Sequence, residues 1–390
     1  MYLPRAIEIP LHKAIKQFPS LLVTGARQAG KSTLLRHAFS EYQYVTLDDP
    51  LIRAMANNDP ELFLETNPAP LIIDEIQYAP GLLSYLKIRI DQNRRAMGQY
   101  ILTGSQVFQL MKGVSESLAG RIAIFQLYPL SWKEISSLKD SKDDLICAAQ
   151  TVQGFYPEFF AQPNVDWNLW HSSYLSTYLE RDVRNLKSIV DLGRFQMFLA
   201  LLAARSGQLL NISEISKECG ISQPTAKDWL SILEATYIIY LLKPFHHNRT
   251  KRLVKSPKIY FVDTGLLCYL LGIDSQERLF KAAERGHVFE NMVVMEAIKR
   301  CSFEGTRFQP FFYRTSSGLE VDLLIEKAGG LEAFEIKFSK TIHKEMAESL
   351  NTFVSEHSVK RARLLSLQEK SIALFPEIWA EHWSSVSIRH

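Results

Sequence analysis

The first third of the chain alternates short apolar runs with longer stretches in which apolar residues recur at helical spacing. Leu21-Leu22-Val23 and Leu71-Ile72-Ile73 are continuous apolar runs, which are typical of strands buried on both faces. Tyr42–Leu47 and Gln99–Ser105 have further strand patterns, and residues 4–18 favour a short amphipathic helix. This alternation predicts an α/β domain with a parallel sheet over residues 1–135.

The first apolar run leads into a glycine-rich motif that organises the chain. Gly25-Ala26-Arg27-Gln28-Ala29-Gly30-Lys31-Ser32 has the spacing G-x-x-x-x-G-K-S between a predicted strand and a predicted helix. Glycines there let backbone N–H groups surround phosphate oxygens, and the helix start adds positive potential. We expect this segment, with Thr33, to bind ATP. Lys31 should reach the β- and γ-phosphates, and the Ser32 hydroxyl should ligate Mg²⁺.

The run Leu71-Ile72-Ile73 ends in two adjacent acids, Asp74 and Glu75. In isolation such a pair favours a solvated strand end. Downstream of a phosphate-binding loop, however, it is typical of a Walker B strand. We expect Asp74 to hold Mg²⁺ through its water shell and Glu75 to orient and activate the attacking water. The two motifs together predict ATP hydrolysis.

Two more positions are candidates for contact with the γ-phosphate. Ser105 or Thr103, at the polar end of the strand Gln99–Ser105, is a candidate sensor, although hydroxyl groups also cap strands. Arg121 precedes an alternating strand, and a guanidinium from the same chain or a neighbour can stabilise charge that develops during transfer. A surface salt bridge is the alternative for Arg121.

Composition is that of an ordinary globular protein with several domains. The chain has 390 residues, 46% of them hydrophobic and 22% charged, and its formal net charge of +3 permits nucleic acid as a partner without requiring it. No apolar run reaches the length of a membrane span, and the start Met-Tyr-Leu-Pro-Arg is no signal peptide. The four scattered cysteines lack metal-ligand spacing, so we expect a reducing, cytoplasmic location.

The middle of the chain predicts a helical linker or lid over residues 136–208 and a winged helix over residues 209–275. Ser213 and Ser222 are predicted to cap two successive helices, and Gly220 to provide the turn between them. The second helix is predicted to bury one face, formed by Ala226, Trp229, Leu230 and Leu233. Its other face would present Gln223, Lys227 and Ser231, as a DNA-recognition helix does.

A basic segment follows this helix pair. Its members are Arg249, Lys251, Arg252, Lys255 and Lys258. Such a segment is a natural wing for contact with DNA phosphates. The alternative is that the winged helix only packs against its neighbours, and the exposed Asp228 is consistent with that alternative.

Residues 276–390 predict another α/β domain, with acids at strand ends. A helix over residues 284–300 carries Glu290, and the strands that follow carry Asp322, Glu335 and Lys337. Glu335 and Lys337 should point to one face because strand side chains alternate. Acids can bind Mg²⁺, and a lysine can position or activate an attacking water. Cleavage of DNA and mere binding both stay open at this point.

Four segments together resemble the bacterial and archaeal AAA+-type P-loop ATPases that carry a C-terminal domain of unknown function. They are Gly-Ala-Arg-Gln-Ala-Gly-Lys-Ser, Leu-Ile-Ile-Asp-Glu-Ile-Gln, Tyr-Ile-Leu-Thr-Gly-Ser and Leu-Ala-Gly-Arg. The resemblance covers nearly the whole chain and implies a P-loop ATPase core, a winged helix and a restriction-endonuclease-like domain. It implies Asp322, Glu335 and Lys337 as catalytic residues of a nuclease, with Glu290 as a further metal ligand. Val321 departs from it, since many such nucleases have proline there.

These observations predict an ATP-hydrolysing protein that binds and processes or remodels DNA, with branched DNA such as Holliday junctions as a candidate substrate. AAA+ relatives usually act as rings, which implies a homo-oligomer such as a hexamer and would let Arg121 act in trans. Two alternatives stay open. One is a nucleotide-controlled regulatory or defence switch with a partner-binding tail, and the other is an ATP-gated, metal-dependent nuclease.

Overall fold

The first part of the chain forms a parallel sheet covered by helices. The computed structural model describes residues 2–104, 117–136, 144–162, 164–178, 191–245, 255–303 and 308–386. The strands are β1 (Ser20–Gly25), β2 (Gln43–Thr46), β3 (Leu71–Asp74), β4 (Tyr100–Gly104) and β5 (Ile122–Leu127). They lie in the order β2-β3-β4-β1-β5, and every pairing is parallel. The predicted α/β fold with a parallel sheet is confirmed.

Helices connect these strands and cover the sheet. They are α1 (Glu8–Ala14), α2 (Lys31–Ala38), α3 (Pro50–Asn58), α4 (Pro60–Thr66), α5 (Leu82–Gln92) and α6 (Trp132–Ser136). Strands β1, β3 and β4 are buried along their whole length, as continuous apolar runs require in a sheet covered on both faces. Because β4 lies between β1 and β3, the ends of all three strands meet at one edge of the sheet.

The middle of the chain is helical. Its helices are α7 (Asp144–Gln153), α8 (Glu158–Ala161), α9 (Trp167–Tyr178), α10 (Leu192–Ala204), α11 (Ile212–Glu218) and α12 (Gln223–Ala235). Gly220 adopts φ of 62° between α11 and α12, and the Ser222 hydroxyl accepts a hydrogen bond from Thr225 N at 3.1 Å. The prediction that Ser213 caps α11 is wrong. Asn211 caps that helix by accepting from Glu214 N at 3.3 Å, and Ser213 lies within its first turn.

Helix α12 is amphipathic in the predicted sense. Its buried side chains are Ala226, Trp229, Leu230 and Leu233. Gln223, Lys227 and Ser231 are exposed. Trp229 packs edge-on against Phe195 and Phe198 of α10, so an aromatic cluster fixes the orientation of the helix pair.

The C-terminal part is a mixed sheet of eight strands in the order β12-β13-β11-β10-β9-β8-β6-β7. The strands are β6 (Ile239–Pro244), β7 (Lys258–Phe261), β8 (Phe308–Arg314), β9 (Glu320–Lys327), β10 (Gly330–Ile336), β11 (Arg361–Ser366), β12 (Ile372–Phe375) and β13 (Ile378–His382). Its helices are α13 (Thr264–Leu270), α14 (Gln276–Lys281), α15 (Arg285–Phe303) and α16 (Glu348–Glu356). The antiparallel hairpin β6–β7, which the sequence assigned to the winged helix, continues this sheet through the parallel pair β6–β8.

One hydrophobic cluster joins the two sheets. It contains Leu21 and Val23 of β1 together with Phe289 and Val293 of α15. Helix α15 is buried on nearly all sides, which explains why its sequence lacks a clear polar face. Within the described residues, no helix has the length and apolarity needed to cross a bilayer.

Candidate functional site

The glycine-rich loop between β1 and α2 has a backbone geometry that favours glycine at its two ends. Gly25 adopts φ of 147°, and a Cβ atom there would lie 2.0 Å from the carbonyl oxygen of Leu127. Gly30 precedes α2 with φ of 89°, in the left-handed region. The ammonium of Lys31 is buried and donates to the carbonyl oxygens of Gly25 at 3.0 Å and Ala26 at 2.9 Å. The loop therefore holds a positive charge at the point where its strand ends.

Asp74, at the end of β3, accepts hydrogen bonds from three hydroxyl groups on three different elements. Ser32 Oγ at the start of α2 donates to Oδ2 at 2.9 Å, and Tyr44 OH on β2 donates to the same oxygen at 2.6 Å. Thr103 Oγ1 on β4 donates to Oδ1. Ser32 and Asp74, the predicted Mg²⁺ residues, are thus in direct contact. A hydroxyl and a carboxylate are a donor set that suits a hard divalent cation.

Tyr44 is a site residue that the sequence analysis missed. Burial, followed by the hydrogen bond to Asp74, raises the pKa of the Tyr44 phenol, so that the group stays a neutral donor. Its position results from the pairing of β2 with β3, in which Thr46 lies opposite Asp74. Strand order is a tertiary property, and no local signal around Tyr44 indicated it.

Glu75 lies immediately beyond β3 in a left-handed backbone conformation, with φ of 57° and ψ of 45°. Such a conformation is uncommon for glutamate and is found preferentially at functional sites. Gln77 Nε2 donates to Glu75 Oε2, and Glu75 N donates to Thr103 Oγ1 at 3.4 Å. Thr103 thus contacts the carboxylate of Asp74 and the backbone of Glu75. The other sensor candidate, Ser105, lies outside the described residues.

Arg121 lies at the end of the parallel sheet where β1 begins, opposite to the end that carries the glycine-rich loop. Its carbonyl accepts from Ser20 N at the start of β1, so about 17 Å of strand separates it from Gly25. Its guanidinium forms a two-pronged ion pair with Asp91, at 2.7 Å and 2.9 Å. This pair holds the pKa of Asp91 below its ordinary value. Within one chain, Arg121 therefore forms a surface salt bridge, and its role as an arginine finger in trans stays a prediction.

Two more residues missed by the sequence analysis contact the loop region. Arg5 is buried and donates from Nη1 to the Ala29 carbonyl at 2.9 Å, while Nε pairs with Glu134 Oε1 at 3.0 Å. Tyr237, beyond the end of α12, has its hydroxyl 2.9 Å from Thr24 Oγ1, next to Gly25. Both contacts join the loop to segments distant in sequence.

The acids predicted in the C-terminal domain also converge. Phe334 on β10 pairs with Leu323 on β9, and this register places Glu335 beside Asp322. Ile336 N donates to Asp322 Oδ2 at 2.8 Å, and Lys337 Nζ lies 2.6 Å from Glu335 Oε1. Burial, with Asp322 as the next contribution, raises the pKa of Glu335 to about 8. Burial likewise raises the pKa of Glu290, on the adjacent helix α15.

Lys258 is a buried member of this cluster. The sequence placed it in an exposed basic wing, and that placement is wrong. The register that sets Lys258 on β7 opposite Leu242 on β6 buries its side chain, and Nζ lies 3.1 Å from Glu290 Oε1. Of the other wing residues, Lys255 is exposed. Arg249, Lys251 and Arg252 lie outside the described residues.

Three family models match successive parts of the chain. A model described as an AAA domain matches residues 17–136, which contain the loop, Asp74 and Glu75. A domain of unknown function (DUF8612) matches residues 147–277, and another domain of unknown function (DUF4143) matches residues 285–381.

Relatives extend this similarity over most of the chain. The chain is 32% identical over 344 residues to the uncharacterized protein Rv2008c of Mycobacterium tuberculosis, a match that covers 87% of this chain and 75% of that protein. It is 24% identical over 342 residues to the uncharacterized protein MJ1544 of Methanocaldococcus jannaschii, over 80% and 73% of the two lengths. Among solved structures, a Walker-type ATPase of Pyrococcus abyssi has 16% identity and a TM-score of 0.47, over 69% of this chain and 96% of that one. The chain belongs to the same family as Rv2008c and is an AAA-type P-loop ATPase.

Proposed function

We propose that this ATPase couples ATP hydrolysis to DNA binding by the helix pair α11–α12. The observation that carries the proposal is the hydrogen bond between Thr24 and Tyr237. Thr24 directly precedes the glycine-rich loop, and Tyr237 follows α12, which ends at Ala235. A change in the loop on nucleotide binding would therefore act directly on the segment that positions the candidate recognition helix.

On the nucleotide side, the loop from Gly25 to Thr33 would surround the phosphates of ATP, and Lys31 would exchange its carbonyl partners for phosphate oxygens. Mg²⁺ would be held by Ser32 and Asp74, and it would supply positive charge that offsets the charge developing during phosphoryl transfer. Glu75, positioned by Gln77, would accept a proton from the attacking water. Thr103 would orient Asp74 and the backbone of Glu75.

On the DNA side, α12 presents Gln223, Lys227 and Ser231 to solvent, and these side chains would contact base edges or phosphates. Asp228 lies on the same exposed helix, and the net charge of the chain is only +3. The expected binding is accordingly modest and strongly dependent on salt. Processing or remodelling of DNA, including four-way junctions, would follow from ATP-driven movement of this helix.

Assembly into a homo-oligomer, such as a hexameric ring, belongs to the same proposal. Arg121 is at the surface, and its partner Asp91 is more than one-third exposed. A neighbouring chain whose nucleotide site faced this ion pair would receive Arg121 as an arginine finger.

A nucleotide-controlled switch with a partner-binding tail is a second candidate function. The observation that favours it is the attachment of the C-terminal helix α15 to the ATPase domain. Glu296 on α15 accepts hydrogen bonds from Trp132 N at 2.7 Å and Lys133 N at 3.2 Å, at the start of α6. ATP hydrolysis would then change this contact and thereby the surface offered to a partner.

The ATPase rate of the full chain, measured without DNA and with single-stranded, duplex and four-way-junction DNA, tests the two candidates. If DNA regulates the ATPase, DNA should raise the ATPase rate several-fold in the native chain, and this stimulation should be smaller in Lys227→Ala. The control variant Lys370→Ala, which replaces an exposed lysine of the C-terminal domain, should keep the full stimulation. A rate that none of the three DNAs changes, together with no DNA binding by fluorescence anisotropy, would contradict DNA control and leave the switch.

A further inference from the structure

The ammonium group of Lys258 lies among the carboxylates of the C-terminal cluster. Its side chain is 3% exposed, and Nζ lies 2.5 Å from Glu320 Oε1, 3.1 Å from Glu290 Oε1 and 3.6 Å from Asp322 Oδ1. Lysine has three N–H donors and no acceptor. The two shorter contacts and the nearby Asp322 thus surround the charged group with acceptors.

The carboxylates around Lys258 also accept hydrogen bonds or form ion pairs with other groups. Tyr260 OH, on the same strand as Lys258, donates to Glu290 Oε1 at 2.7 Å. The second oxygen of Asp322 accepts from Ile336 N, and the second oxygen of Glu320 pairs with Arg314 Nη1 at 2.8 Å. Buried carboxylates are stable only when paired and hydrogen-bonded. Here strand β7 supplies the cation and a phenol hydroxyl to α15 and β9.

A divalent metal does not fit this arrangement. Mg²⁺ and Mn²⁺ need several oxygens directed at one point, at about 2.0–2.2 Å from the ion. Glu290 and Asp322 direct their oxygens at the Lys258 ammonium, and Glu335 pairs with Lys337. Among the residues that the structure describes, no group of three or more His, Cys, Asp or Glu side chains could hold a metal ion. Two members of the metal set implied by the nuclease resemblance, Glu290 and Asp322, are therefore already paired with the Lys258 ammonium, and the third, Glu335, is paired with Lys337.

We propose that Lys258 is the resident cation of this cluster. It takes the position that a divalent metal would take, so that the native domain binds no metal there and cuts no DNA. The ion pairs instead fasten hairpin β6–β7 to α15 and β9. Replacement of the ammonium by an uncharged side chain opens a site for Mg²⁺ or Mn²⁺, because Glu290, Glu320 and Asp322 then lose their shared cation and can turn their oxygens toward one ion.

Counting of bound Mn²⁺ by electron paramagnetic resonance, on the full chain with a non-hydrolysable ATP analogue, tests the proposal. Asp322→Asn should leave the number of ions bound per chain unchanged. Lys258→Met should bind one further Mn²⁺, and the double variant Lys258→Met/Asp322→Asn should lose that ion. Lys337→Met is the matched control, since it removes a lysine from the cluster but leaves Lys258 in place, and it should bind no further ion.

Two outcomes would overturn the proposal. The first is a Mn²⁺ ion that the native chain binds, with or without the ATP analogue, and that Asp322→Asn removes. The second is a folded Lys258→Met variant that binds no further ion. If Lys258→Met does not fold, the proposal is still tested by comparing the number of Mn²⁺ ions bound by the native chain and by Asp322→Asn. A failure of the nucleotide site would lower the count equally in every variant and is thereby distinguishable.

Discussion

The hydroxyl groups of Thr24 and Tyr237 lie 2.9 Å apart in the protein interior, although 213 positions separate them in the chain. Thr24 Oγ1 also contacts the carbonyl oxygen of Phe125 at 3.3 Å, and either hydroxyl can donate in the hydrogen bond between Thr24 and Tyr237. Burial raises the pKa of Tyr237 to about 12, which keeps the phenol protonated at neutral pH. A hydrogen bond therefore links strand β1 to Tyr237, two residues beyond the end of α12.

Tyr237→Phe should uncouple DNA from ATP hydrolysis. The basal ATPase rate is expected to stay within about twofold, the stimulation by DNA to disappear, and the free energy of unfolding to fall by about 1 kcal/mol. Tyr128→Phe is the control, because Tyr128 packs edge-on against Tyr237 at 5.8 Å but donates to Gln126. Full stimulation in Tyr237→Phe would show that this hydrogen bond carries no coupling.

Lys31→Ala should lower ATP turnover by at least about 100-fold, since it removes a preorganised cation from the phosphate site. The measurement is phosphate release at saturating ATP and Mg²⁺. Lys16→Ala, which removes an exposed lysine from the same domain, should have the native rate. Turnover that survives in Lys31→Ala would mean that the glycine-rich loop is not the hydrolytic site.

Glu75→Gln should separate ATP binding from hydrolysis. A loss of the general base lowers turnover by about 100-fold or more, whereas the phosphate contacts of the loop do not involve this side chain. Calorimetry should therefore give an ATP affinity close to that of the native chain. An equal loss of affinity and turnover would assign Glu75 a role in binding and contradict its role as a base.

The stability of the chain should depend on pH through Glu335. Its pKa rises from an ordinary 4.5 to about 8 on folding, so between these values the folded state binds more protons than the unfolded state. This contribution to stability is complete below pH 4.5 and is lost as pH rises through 8. Glu335 faces Asp322, Lys337 and Lys258, so that Glu335→Gln changes one titrating group within a charged cluster.

Urea unfolding at several pH values between 5 and 9 measures this effect. In Glu335→Gln the decline of the free energy of unfolding with pH should become shallower, by up to about 1.4 kcal/mol per pH unit. Glu369→Gln, at an exposed position, should keep the native slope. The same slope in all three chains would show that Glu335 does not titrate in this range.

Arg5→Met should destabilise the ATPase domain by about 3–5 kcal/mol, because it leaves Glu134 buried without its cation. The variant also frees the Ala29 carbonyl in the glycine-rich loop, so the KM for ATP should rise. Urea unfolding and steady-state kinetics measure the two effects. Arg5→Lys keeps the charge and should recover part of the stability. A stable Arg5→Met variant with native KM would show that this contact supports neither the domain nor the loop.

The sequence by itself determined the P-loop motifs and the α/β fold that carries them. The loop from Gly25 to Ser32 and the acids Asp74 and Glu75 are local patterns, because backbone curvature and a strand end need only neighbouring residues. The helices α11 and α12 were also predictable, since periodicity and caps are local, although Asn211 replaced Ser213 as one cap. Strand alternation placed Glu335 and Lys337 on one face, whereas the register of β9 with β10 brought Asp322 beside Glu335.

Only the tertiary structure decided which distant residues complete these sites. Tyr44 reaches Asp74 through the pairing of β2 with β3, and Tyr237 reaches Thr24 through the packing of two domains. Arg121 lies beside the start of β1, whereas the glycine-rich loop follows the end of that strand, so the two are far apart within one chain. The sequence pattern predicts that Lys258 is an exposed wing residue, but the register of β6 with β7 buries its ammonium group next to Glu290. Strand order, register and burial depend on the whole chain, and they decide whether a lysine faces DNA or an acid.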